Sequence, residues 1–364
     1  MAGRFPTLMV NVGHVHNYLD EIRPTEEIGI VASAAYPPSA GALSDPGLRA
    51  GVRLLDPITY QLQLPTALQT NPFRRLPYAA AEVNPAAVAQ DPTERSNLIA
   101  EVAAQSQAWG ADLVVTPYFH AVDPDDPAFE ASILMATASA DTLGIDSVIP
   151  AIFVEQNALM PQHRDDLLNR LTRTDFESLY ILVGVDAPST APIANDQALS
   201  GIRLVVEVLA RNGIDVVWGA TDTTGLLAAA WAPGTSFALG PDTYLRRRRQ
   251  PTPSARPRGG FTPATRRIFS RDLLSELKVD DFEAWRASGR LACGCAACVR
   301  RGPVAGRLGH YVNSHLDLAS RLGRATDPPR ELASMVESAL AGISAGPSDA
   351  DARRHLAHWR AQLP

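Results

Sequence analysis

The chain is poor in thiols and poorer in lysine. Cys293, Cys295 and Cys298 are its only cysteines in 364 residues, and all three fall within six positions. An odd, clustered set of thiols excludes a disulfide framework and points to a reducing compartment, by default the cytoplasm. Lys278 is the only lysine, so arginine carries almost all of the positive charge. No run of 18 or more apolar residues occurs, which excludes an apolar membrane-spanning helix. The opening "MAGRFPTLMVNVGHV" turns polar too soon for a secretory signal. No G-x-G-x-x-G follows any apolar run, so the signature of a dinucleotide site is missing.

What is present is enough apolar residue, 46%, to bury a large core. The net charge of −6 is unevenly spread. Between Arg246 and Arg301 there are thirteen Arg and one Lys against five acids, about +9, leaving about −15 elsewhere. That asymmetry describes a basic surface on an acidic body.

Apolar runs rich in β-branched residues alternate with helical patterns. Strands are expected at 7–12, 27–35, 58–63, 111–119, 147–154, 179–185, 214–220 and 235–240. Helices are expected at 95–110, 127–144, 160–174, 195–213 and 223–233, and again after about residue 310. Strands that are continuously apolar suit a parallel sheet covered on both faces, with right-handed crossovers. Eight strands make a (β/α)₈ TIM barrel the expected fold, with an open doubly wound sheet as the alternative. The expected organisation is a barrel body over 1–245, an Arg/Pro-rich basic loop and connecting helix over 246–290, and a zinc-binding helical subdomain over 291–364.

Three groups of residues could carry chemistry or binding. In C-x-C-x-x-C, three thiolates meet on a tight turn that Gly294 helps to close, and they repel unless a cation lies between them. Zn²⁺ takes four such ligands, so a fourth is expected nearby on an ordered element. His310, opening a helix, is favoured over His315, which points away around that helix. Such a closed site is structural. The alternatives are an iron–sulfur cluster, which usually takes four cysteines, or three unliganded thiols.

The second group is the polar set just beyond the expected strands. It comprises His14, His16, Tyr118, His120, Asp123, Glu155, Gln156, Asp186, Thr221, Asp222 and Asp242. In a TIM barrel the chemistry sits at that face, and carboxylates there suit covalent or acid–base work at a sugar anomeric carbon. Asp222, Asp242 and His120 are the catalytic candidates; His14, His16, Tyr118, Glu155, Gln156 and Asp186 are the substrate-binding ones. The third group is Arg246, Arg247, Arg248, Arg249, Arg256, Arg258, Arg266 and Arg267, flanked by Tyr244 and Phe261. Guanidinium groups bind phosphates bidentately and stack on bases, so a nucleic acid is the natural partner.

The order of strands, basic loop, C-x-C-x-x-C and helix-opening His resembles the tRNA-guanine transglycosylase superfamily, mainly over residues 200–345. The resemblance implies a zinc-containing (β/α)₈ barrel and a pentosyltransferase that exchanges guanine for a 7-deazaguanine base. It implies Cys293, Cys295, Cys298 and His310 as zinc ligands, with "HYVNSHLDLASRL" similar to the family's helix. It also implies tRNA, DNA or a nucleoside as substrate, and a homodimer or heterodimer as the assembly. The family's His follows its last Cys at about twice the spacing of Cys298 and His310, and the chain departs from the family at three further places. Ala238, after Phe237, stands where the family has its nucleophilic Asp, "NVGHVHN" stands near the place of D-S-G-G-F, and "GATDTTG" replaces the base-reading G-G-L. A non-catalytic subunit or nucleic-acid-binding module of the same fold, and an unrelated TIM-barrel hydrolase or lyase with a structural zinc, are the alternative functions.

Overall fold

The computed structural model describes residues 4–13, 18–22, 28–38, 50–65, 69–79, 82–185, 192–241, 248–249, 267–291, 293–344 and 350–364. His14, His16, Asp186, Asp242, Arg246, Arg247, Arg256, Arg258 and Arg266 lie outside the described residues. Arg248 and Arg249 are described by their backbone.

The protein is an α/β fold built on a curled parallel sheet. Its strands are β1 (Leu8–Val12), β2 (Ile28–Ser33), β3 (Ala50–Asp56), β4 (Leu113–Val115), β5 (His120–Ala121), β6 (Val148–Ile149), β7 (Ala151–Glu155), β8 (Ser178–Val185), β9 (Asp215–Thr221) and β10 (Ser236–Leu239). They pair in the order β5-β7-β8-β9-β10-β1-β2-β3-β4-β6, and β11 (Arg248–Arg249) adds to β8. All these pairings are parallel. Such strands need crossovers, and the connections supply helices: α1 (Pro85–Gln90) and α2 (Pro92–Trp109), α3 (Pro127–Leu143), α4 (Pro161–Leu171), α5 (Asp196–Arg211) and α6 (Gly225–Trp231).

Local sequence accounts for these helices. Asn195 Oδ1 accepts from Ala198 N at the start of α5, and Leu199, Ile202, Val205, Val206 and Leu209 bury one face of it. Gly201 lets α5 settle on the turn after β7, because a Cβ there would strike the Leu159 carbonyl oxygen. Asp91 caps α2 by accepting from Thr93 N and Glu94 N, so that helix begins a turn earlier than its periodicity predicts.

After the sheet come an antiparallel hairpin of β12 (Arg267–Ser270) and β13 (Ser275–Lys278), then α7 (Val279–Ala287), α8 (Ala296–Ala305), α9 (Arg307–Arg324), α10 (Pro328–Ser344) and α11 (Ala350–Gln362). Their buried apolar residues join those of the sheet in one core that runs from Phe5 to Leu363. Among the described residues no helix is long and apolar enough to cross a membrane.

One expected strand is not a strand. Residues 58–63 enter through Ile58 at φ 49° and form the 3₁₀ turn Thr59–Gln63. The strand lies just upstream, at β3. The backbone of 59–63 is free to turn because its side chains do the pairing. Thr59 Oγ1 donates to Tyr118 O at 2.7 Å and accepts from Tyr118 N at 2.8 Å. Gln63 Nε2 donates to His120 O at 2.9 Å, and Gln63 Oε1 accepts from His120 N at 2.6 Å. Two side chains thereby satisfy the backbone where the run 111–119 breaks between β4 and β5. The run 147–154 likewise breaks at Pro150, which has no N–H to give, and Thr116 Oγ1 accepts from Ala151 N across the gap.

Candidate metal centre and strand-end residues

Cys295 caps α8, its thiol accepting from Cys298 N, and His310 stands in the first turn of α9. Between them α8 kinks at Gly302 (φ 76°), which brings the start of α9 back over the cysteines. The result is one cluster. His310 Nδ1 lies 3.3 Å from Cys293 Sγ, 3.5 Å from Cys295 Sγ and 3.3 Å from Cys298 Sγ. All four candidate ligand atoms fall within 4.8 Å of one another. A tetrahedral ion with sulfur at about 2.3 Å and nitrogen at about 2.0–2.1 Å would separate sulfur from nitrogen by about 3.5 Å. The cluster therefore fits a metal ion and is consistent with zinc.

The electrostatics agree. In the cluster by itself, Cys293 is pushed down by hydrogen bonds with Cys295 and Cys298, whereas hydrogen bonds with Cys293 and Cys295 push Cys298 up. One thiol ionises readily and resists the ionisation of the next, a conflict that a cation removes. His310 is raised to about 10, because the thiols and the Phe269 carbonyl outweigh the effect of burial. His315 is not part of the cluster. Its Nδ1 donates to Tyr311 O at 2.8 Å and its Nε2 lies 3.1 Å from Thr223 Oγ1. Gly294 has no positive φ, and a Cβ there would meet nothing, so the turn closes without needing a glycine.

The strand ends form two separate groups. In the first, His120 Nε2 lies 3.3 Å from Glu155 Oε1, out of line for a hydrogen bond, and the His120 ring meets Phe153 edge-on at 4.7 Å. Burial lowers His120 to about 4, with the Asp126 charge opposing, so the imidazole is neutral at pH 7. Tyr118, fully buried, donates through its hydroxyl to Asp56 Oδ1 at 2.7 Å. Gln156 begins the 3₁₀ turn directly after Glu155.

In the second group, Asp222 is buried and its Oδ1 accepts from Thr224 N at 2.7 Å, fixing the turn into α6. It lines a small recess with Trp218, Thr221, Ile193 and Ile202, and neither His120 nor Glu155 lines that recess. Asp123 falls instead beside Asp125 and His163 at the sheet's rim. Arg267 is half-buried and donates to Glu276 O within the hairpin.

Sequence reasoning missed Asp56, a carboxylate with no exposure at the end of β3. It accepts from Ile58 N and from Tyr118. Burial, then the Asp56 charge, pushes the Tyr78 phenol far up, so Tyr78 remains a donor to Pro57 O. The available signal was "RLLDP", an apolar run ended by Asp-Pro. Two of the strand-end carboxylates adjoin strained backbone: Ile58 (φ 49°) lies two residues after Asp56, and Ala220 (φ 47°) two before Asp222. Left-handed non-glycine residues are costly and gather at functional sites. Ala238 is fully buried, and its carbonyl accepts from Asn11 Nδ2 at 2.9 Å.

No family model, no curated protein and no solved structure matches the chain.

Proposed function

We propose that the chain is a divergent, zinc-stabilised member of the tRNA-guanine transglycosylase superfamily, acting on an N-glycosidic bond of a nucleic acid or nucleoside. The observation that carries this reading is the cluster of Cys293, Cys295, Cys298 and His310 in a chain built on a curled parallel sheet. Three thiolates and an imidazole at tetrahedral spacing are a ligand set for Zn²⁺. With all four positions filled by protein, the ion would hold the helices in place and take no part in the chemistry.

The sheet in this reading is a closed (β/α)₈ barrel. Its support is the pairing of β4 with β6 and of β5 with β7. If β4 and β5 are pieces of one strand, and β6 and β7 of the next, the two ends of the strand path become neighbours. Chemistry would then fall at the C-terminal strand ends. Asp222 or Asp242 would attack the anomeric carbon as the C–N bond to guanine breaks, the electron pair leaving on the base, which takes a proton from water. An incoming 7-deazaguanine would displace the carboxylate and restore it. His120, neutral and buried in the other strand-end group, would accept the proton of that incoming base through water. Glu155 and Gln156, with His14, His16 and Asp186, would line the substrate, and Tyr118, expected among them, is instead buried and holds Asp56. The arginines from Arg246 to Arg267 would hold phosphates.

A second reading, a non-catalytic subunit, is favoured by Ala238 at the family's nucleophile position and by the commitment of Asp222 Oδ1 to Thr224 N. Incorporation of labelled guanine into tRNA and DNA separates the two. The first reading expects labelling that stops in Asp222→Asn or in Asp242→Asn while the metal stays bound. No labelling, with salt-sensitive binding that is weakened by changing Arg246–Arg249 to Ala, supports the second. Neither labelling nor such binding sinks both and leaves a TIM-barrel hydrolase or lyase with a structural zinc.

A further inference from the structure

Glu21 and Thr223 are remote from the cysteines in sequence, yet both are gripped by the helices that carry the metal ligands. Glu21 closes the 3₁₀ turn Leu19–Glu21 that follows β1. Its side chain is 1% exposed, and the cation beside it is Arg301, whose Nε lies 2.8 Å from Oε1 but is not aligned to donate. Arg301 stands three residues after Cys298 on α8. From α9, Asn313 Nδ2 donates to Glu21 O at 2.7 Å, and a Cβ at Gly309, the residue before His310, would strike the Glu21 carboxylate. A buried carboxylate is costly without its cation, so this turn is stable only while α8 and α9 stay where they are.

Thr223 lies between β9 and α6, beside Asp222. The Nδ1–H of His315 is committed to Tyr311 O, which leaves Nε2 to accept from the Thr223 hydroxyl at 3.1 Å. His315 follows His310 on α9, and its ring lies 4.4 Å from that of Phe269, whose carbonyl accepts from His310 Nε2. A single helix therefore presents a metal ligand, a hold on the turn after β1 and a hold on the turn after β9.

The cluster's geometry suits a cation. Thiolates about 4 Å apart repel by about 4 kcal/mol per pair at an effective dielectric of 20. An ion bound by Cys295 and Cys298 of α8 and by His310 of α9 ties the two helices together, and its removal loosens the seat of both. We propose that metal binding at Cys293, Cys295, Cys298 and His310 is transmitted through α8 and α9 to the turns after β1 and β9, by way of Glu21–Arg301 and His315–Thr223. The metal centre then sets the position of Asp222 without touching it. This holds whichever reaction the strand ends perform.

Hydrogen–deuterium exchange on the full chain, metal-loaded and then chelated, tests the proposal. Peptides covering 18–22 and 221–226 are expected to exchange at least tenfold faster after chelation, while 179–183 in β8 is unchanged. In the loaded protein, Glu21→Gln is expected to raise exchange at 18–22 alone and Thr223→Val at 221–226 alone, with metal stoichiometry intact. Should Glu21→Gln not fold, Arg301→Met breaks the same contact from its exposed side, with the same expected result. Deprotection confined to 293–310 on chelation would overturn the proposal. So would uniform loss of protection that includes β8, because that is global unfolding.

Discussion

His310 Nε2 donates to the Phe269 carbonyl oxygen at 2.7 Å, and this bond turns Nδ1 toward the three thiols, where it would bind a metal in place of its proton. A hydrogen bond to the far nitrogen fixes both tautomer and ring orientation, as it does in most histidine metal sites. The site should therefore depend on each ligand and tolerate change at the residue between two of them. Cys295→Ser and His310→Ala should each lose bound metal and lower the unfolding midpoint together. Gly294→Ala should keep the metal and change stability by less than about 0.5 kcal/mol. Metal analysis and denaturant unfolding of the three variants check this.

Thr59 and Tyr118 form a peptide-like pair, with one hydroxyl serving both the N–H and the C=O of a buried residue. Thr59→Val keeps the shape and removes both bonds, so it should cost about 1–3 kcal/mol, with Thr59→Ser recovering most of the loss. Equilibrium unfolding in urea gives the comparison.

His120 is held at about 4, below its ordinary 6.5, by burial. Between those values the unfolded chain binds a proton that the folded one excludes, so stability rises with pH through that window and falls as the medium is acidified. The effect amounts to up to about 3 kcal/mol, before any discount for relaxation. His120→Gln should flatten the stability curve between pH 4 and 6.5 relative to the parent and leave it parallel above pH 7. Unfolding midpoints across that range, taken as differences between the two proteins, check it.

Where the chemistry of a residue type is specific and its spacing short, the sequence was readable. C-x-C-x-x-C with His310 named its own cluster, and the apolar runs at 179–185 and 214–220 became β8 and β9 almost to the residue. Residues 58–63, ITYQLQ, misled because they alternate as a strand does, whereas in the fold Thr59 and Gln63 spend their side chains on the backbone of Tyr118 and His120. Asp56 was hidden by the same error, since the end of a strand cannot be read until the strand is placed. Glu21 gave no local signal. Its partners, Arg301, Gly309 and Asn313, come from nearly 300 residues away, and only the folded chain brings them together.

The superfamily reading and the transmission from metal to strand ends both rest on the four-residue cluster being a closed metal site. Zinc-edge X-ray absorption on the purified protein tests that most directly. Three sulfurs at about 2.3 Å and one nitrogen at about 2.0–2.1 Å are expected. A shell of only oxygen and nitrogen, or protein that is fully folded with no bound metal, would contradict it.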